Sequence, residues 1–178
     1  MHSVELLPDR ATGRTVEDVW RRLLESGLPS QAAHRHPTNR PHLTLATVDT
    51  LAPRVRDQLE RELAVLPLPL CLDGVVRFTG RYRVLAWAVR ADDALLRLHE
   101  TVWRTLRDAP GSGRLNPLHD PVRWVPHITL GRGRDAVWPG PDDDLFGGTA
   151  APSAVLTGWW TDARHYDSVT RVTGRIGF

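Results

Sequence analysis

With 178 residues, 41% hydrophobic and 25% charged, the chain is long and apolar enough to bury one core, so a single domain over 1–178 is expected. A net charge of +2 argues against a protein that coats a polyanion, and all 23 basic residues are arginine, which excludes a lysine nucleophile, a Schiff base and a P-loop lysine. The single cysteine, Cys71, excludes an internal disulfide and a cysteine zinc cage; no apolar run nears the ~18–20 residues that cross a membrane; and MHSVELLPDR is not a signal peptide, so a cytoplasmic protein off the membrane is expected.

In chain order, SVELLP at 3–8 predicts a short strand. Thr15 followed by Val16, Glu17 and Asp18 predicts a helix start, and Val16, Val19, Trp20, Leu23 and Leu24 continue at helical spacing until Gly27. The stretch 34–41 is polar loop, and 42–48 reads as a strand. Leu51, Val55, Leu59 and Leu63 recur every four residues, one stripe of a second helix. Leu68, Leu70, Leu72, Val76 and Phe78 alternate as a strand, with a break at Gly74. After the turn TGRY, 84–89 is apolar on both faces and predicts a central strand. Leu95, Leu98, Val102 and Leu106 mark a third helix. A Pro/Gly-rich loop at 109–121 precedes a strand at 124–130, a second loop runs over 131–152, and two late strands fall near 154–161 and 166–175. The order β-α-β-α-β-β-α-β-β-β is α+β, with helices covering one side of the sheets. The tripeptide Asp142, Asp143, Asp144 reads as solvated loop rather than a metal site.

One phrase occurs twice. RPHLTLATV begins at Arg40 and WVPHITLGR at Trp124, sharing Pro-His-x-Thr-Leu. Side chains alternate along a strand, so His42 and Thr44 face one side while Leu43 and Leu45 face the other. The same holds for His127 and Thr129 against Ile128 and Leu130. If the two strands lie in related lobes, two imidazoles and two hydroxyls converge on one small ligand. A pair of histidines supplies a general base and a general acid near neutral pH. Threonine hydroxyls can donate to phosphate oxygens. That set suits phosphodiester cleavage without a metal or other cofactor.

His42-Leu43-Thr44-Leu45 and His127-Ile128-Thr129-Leu130 resemble the paired motifs of the 2H phosphoesterase superfamily. The similarity is to the bacterial 2′-5′ RNA ligase-like proteins, also called RNA 2′,3′-cyclic phosphodiesterases. Ala46 after the first motif, Arg132 after the second and the strand VLAWAV extend it. The resemblance implies a bilobal fold of two pseudo-symmetric α+β halves with antiparallel sheets, outer helices and the active site in the cleft between them. It further implies hydrolysis of a 2′,3′-cyclic phosphate to a 2′-phosphate without a metal, with a hydroxyl beside each histidine as phosphate ligand. The substrates implied are RNA ends or cyclic nucleotides, with ligation as a minor reverse activity; a monomer is expected. Thr47, Val48 and Asp49 depart from the family's usual aromatic and glycine.

Arg40 and Arg132 flank the motifs and are candidate phosphate ligands; Trp87 and Trp124 are candidate base-stacking residues against a core reading. Arg132 lies an odd number of positions from His127, so a regular strand turns it away; a break at Gly131 would aim it back. Rival functions are action on cyclic dinucleotides or 2′-5′ linkages, and an RNA-binding module without turnover.

Overall fold

A computed structural model of the chain describes residues 1–139 and 155–176. The elements are β1 (His2–Pro8), α1 (Arg10–Glu25), β2 (Leu43–Val48), α2 (Pro53–Leu63), β3 (Leu68–Phe78), β4 (Arg83–Val89), α3 (Asp93–Asp108), β5 (His127–Gly133), β6 (Leu156–Asp167) and β7 (Val172–Ile176). Single 3₁₀ turns lie at Gln31–Ala33 and Pro117–His119. The fold is α+β, with three α-helices against one antiparallel sheet of seven strands. The aspartates at 142–144 lie outside the described residues.

The sheet runs β1-β2-β5-β4-β3-β6-β7, and β1 also pairs with β6, so the first six strands close a circuit. Strand β6 is shared. Its start, Leu156–Trp160, pairs with β3, while Trp160–Asp167 pairs with β1 and Ala163–Asp167 with β7. One half of the sheet is therefore β2-β1-β6-β7 and the other β5-β4-β3-β6.

Each helix buries the stripe its spacing implies. Val16, Val19, Trp20 and Leu23 of α1, Val55, Leu59 and Leu63 of α2, and Leu95, Leu98, Val102 and Leu106 of α3 all enter one core. A fully buried side chain of this size stabilises by about 1.5–3 kcal/mol. Leu24 falls off the stripe and is exposed. Helix α1 begins at Arg10 rather than Thr15, because Asp9 caps it: its carboxylate accepts from the Ala11 and Thr12 amides. The same carboxylate accepts from the Trp159 amide in β6, tying the helix start to the shared strand.

Two boundaries differ from the alternation. Strand β5 starts at His127 and continues to Gly133, into the stretch expected as loop. The break expected at 162–165 is absent, since Asp162 and Arg164 are strand residues that pair with Arg175 and Glu5. The chain instead turns at 168–171, ending in Arg171 at φ 57°. Gly74, at φ 78°, supplies the bulge between Leu72 and Val75 that the sequence suggests.

Candidate active site

Both motif strands carry an irregularity at the same place. Along β1, Val4 pairs with Ala46 and Glu5 with Thr44, leaving Leu45 as the extra residue of β2. Along β4, Leu85 pairs with Gly131 and Ala86 with Thr129, leaving Leu130 as the extra residue of β5. Each bulge falls on the leucine that closes a motif. The two strands touch through the antiparallel pair Leu43 and Ile128, both fully buried. That pairing sets His42 and Thr129 on one side of the bridge and Thr44 and His127 on the other. All four side chains project from the face opposite the core, since side chains alternate. Ala86 and Ala88, paired with Thr129 and His127, keep that face clear of bulk.

Both histidines are held identically. His42 Nδ1 donates to the Arg40 carbonyl at 2.7 Å, and His127 Nδ1 donates to the Val125 carbonyl at 2.7 Å. A carbonyl only accepts, so Nδ1 carries the proton in each and Nε2 is the nitrogen left to react. The Thr44 and Thr129 hydroxyls are half-buried and take no hydrogen-bond partner among the described residues, so both are available to a ligand. Their carbonyls are anchored instead: Trp124 Nε1 donates to Thr44 O and Trp20 Nε1 to Thr129 O, each at 3.0 Å.

The surroundings are not symmetric. Glu5, beside Thr44, is 2% exposed, and its Oε1 sits 3.7 Å from His42 Nε2. Ser3 Oγ donates to the same Oε1 at 2.6 Å, while Oε2 accepts from Arg164 Nε at 2.7 Å. Burial pushes the Glu5 carboxyl up, but the charges of His42 and Arg164 and the Ser3 hydrogen bond together hold it below the usual carboxylate range. The matching neighbours in the other half are Ala86 and Val76, which carry no charge. His127 lies instead against the Phe78 ring, centroids 4.6 Å apart. Burial lowers the His127 pKa, as does the nearby charge of His42, against the opposing bond to Val125.

The bulge at Leu130 decides where Arg132 points. Arg132 pairs with Val84 and His127 with Ala88, an even separation on β4, so Arg132 shares the face of His127. Its guanidinium lies 4.6 Å over the Tyr82 ring, and it lines a depression together with His42. The other candidates are placed elsewhere. Arg40 contributes its carbonyl to His42, while the residue otherwise lines smaller pockets with Pro8. Trp87 is 1% exposed, a core residue paired with Ile128 and with no face left for a base. Trp124 is half-buried and stacked on His99 at 3.7 Å. Glu5, Arg164, Phe78 and Tyr82 are the neighbours that motif reading missed. Only Glu5 left a trace, as a charge inside an apolar strand.

Among the described residues no three His, Cys, Asp or Glu side chains converge as a metal site would require, and no helix is long and apolar enough to cross a membrane.

An antiparallel α+β circuit that brings two His-x-Thr strands side by side defines the class. The chain belongs to the 2′-5′ RNA ligase superfamily, whose sequence pattern matches residues 8–152. Among solved structures it resembles TT0787 of Thermus thermophilus (18% identity, 98% of this chain and 94% of that one, TM-score 0.61). It also resembles E. coli LigT complexed with ATP (16%, 98% and 92%, 0.52) and Kluyveromyces marxianus Usb1 (10%, 99% and 97%, 0.52). At these identities the likeness is one of fold. No curated protein matches in sequence.

Proposed function

We propose that the protein is a phosphodiesterase that opens 2′,3′-cyclic phosphates of RNA ends or nucleotides to 2′-phosphates, using its two histidines and no metal. The observation that carries this reading is the matched pair of Nδ1–carbonyl bonds, which turns both Nε2 atoms away from the backbone on the strands that carry two unengaged threonine hydroxyls. LigT with ATP and Usb1 with uridine monophosphate are nucleotide complexes of the same fold, which is consistent with a nucleotide ligand here.

The asymmetric surroundings support a division of roles. His127, whose environment disfavours charge, is the base. Its Nε2 takes a proton from water as the water oxygen attacks phosphorus. His42, beside the Glu5 carboxylate, is the acid. Its Nε2 proton passes to the 3′ oxygen as the P–O3′ bond breaks, leaving the phosphate on O2′. Thr44 and Thr129 donate to the non-bridging oxygens as negative charge builds there.

Turnover of a 2′,3′-cyclic nucleotide, followed across pH with and without EDTA, tests the proposal. A bell-shaped profile unaffected by EDTA is expected. Because the His127 pKa is lowered, the acidic limb falls below histidine's ordinary value of about 6.5. Activity lost in EDTA and restored by a divalent ion would overturn the mechanism.

A further inference from the structure

His42 stands at the edge of a depression of about 700 Å³, walled by the segment around 31–39, by Glu5 and by β6 with its following turn. Such a volume lies in the ~300–1,000 Å³ range that encloses a whole small molecule, well beyond one phosphate. Four arginines line it, Arg35, Arg132, Arg164 and Arg171, against one carboxylate. That carboxylate, Glu5, is already engaged by Arg164 and Ser3. Arg35 and Arg171 are exposed and form no ion pair among the described residues. The basin is therefore positive and uncompensated on its open side.

Arg171 adds an independent observation. Among the described residues it is the one non-glycine with a positive φ, at 57°. It closes the turn from β6 to β7, a position that glycine fills without strain. An arginine occupies it in the left-handed conformation, and it lines the basin. Backbone strain of this kind clusters at ligand-binding positions.

We propose that this basin binds a second phosphate group of the substrate, one nucleotide removed from the phosphate held between His42 and His127. The proposal rests on the reaction site assigned above. Arginine keeps its charge at all working pH values and meets phosphate oxygens through a planar fork, so Arg35 and Arg171 suit a phosphate better than a base. Ligands with two phosphates are then preferred over a mononucleotide.

Calorimetric binding of three inert probes separates the possibilities. A nucleoside 3′-monophosphate carries one phosphate, a nucleoside 3′,5′-bisphosphate adds a terminal one, and a 3′-phosphorylated dinucleotide adds a phosphodiester. Wild type is expected to bind at least one two-phosphate probe ~10-fold or more tighter than the monophosphate. Which of the two gains tells whether the second phosphate is terminal or part of a strand. The Arg35→Ala/Arg171→Gly double variant should lose that advantage, leave monophosphate binding unchanged and show a shallower salt dependence. Glycine suits the turn at 171, so the variant keeps its fold, as circular dichroism checks. Equal binding of all three probes to wild type overturns the proposal, as does equal weakening of all three in the variant. None of these probes needs turnover. A protein inactive on cyclic phosphates but showing the two-phosphate preference would lose the proposed reaction and keep the basin.

Discussion

Glu5 and Ala86 hold matching positions beside the two motif threonines, and only one of them is charged. That difference separates two otherwise equivalent histidines. Replacing either with alanine is expected to lower kcat by roughly 10²–10⁴. Thr44→Val and Thr129→Val should lower it less, by up to roughly 10²–10³. Cyclic-nucleotide turnover with folding checked by circular dichroism measures both, and undiminished turnover in either histidine variant would remove it from the mechanism. Glu5→Gln is more specific. It removes the negative charge 3.7 Å from His42 Nε2 while keeping the shape of the side chain, so kcat should fall with KM nearly unchanged. An unchanged kcat with a lowered Tm would make Glu5 a purely structural partner of Arg164.

At the scale of elements, the bulge in β5 turns Arg132 toward the site, and Gly131 is what permits it. A Cβ at Gly131 would overlap the Pro29 carbonyl oxygen and crowd the Trp138 ring. Pro29 O also accepts from Trp138 Nε1 at 3.1 Å, so neither neighbour yields easily. Gly131→Ala should therefore destabilise by about 1–3 kcal/mol, read as a lowered Tm, and should raise KM through a displaced Arg132. A variant with wild-type Tm and KM would show that the strand tolerates a side chain there. Gly131 and Gly133, flanking an arginine of the wrong parity, suggest an irregularity in the form of a strand break at Gly131; the strand instead runs on to Gly133 and the bulge falls one residue earlier, at Leu130. The helical stripes and the strand of Leu68–Phe78 were legible from a period carried by buried leucines. The start of α1 was hidden, because its cap, Asp9, is tied to Trp159 at the far end of the chain. Strand β6 read as two pieces because Arg164 and Asp162 look like loop residues until their partners in β1 and β7 are known. Trp87 and Trp124 show the same limit: which face an indole presents depends on pairings that adjacent residues do not encode.

For the molecule as a whole, two neutral imidazoles lie beneath the site. His99 is 1% exposed, its Nε2 donating to the His119 carbonyl at 3.1 Å, and burial lowers its pKa from 6.5 to about 4. His119 is lowered to about 4 as well, by burial first and then by the charges of His99 and His127. Both titrate more easily in the unfolded chain. Their contribution to stability is complete above 6.5 and is lost as pH falls toward about 4. The Tm should decline across that window, and a His99→Phe variant, which cannot take up the proton, should decline less steeply. A wild-type Tm that stays level from neutral pH down to 4 would contradict this account of the buried histidines.

The sharing of β6 also bears on the order in which the chain matures during synthesis. His42 and β1 leave the ribosome early, yet the strand that covers the second edge of β1 is made only at Leu156–Asp167. Until then the first half of the sheet carries an open ladder of amides and carbonyls, the kind of edge that recruits other chains. Closure must bring together segments from opposite ends of the sequence, which slows the final step relative to a fold of local contacts. A nascent chain stalled before β6 would hold both His-x-Thr phrases and no finished half, because the strand that completes each half of the sheet is the same one and is made last.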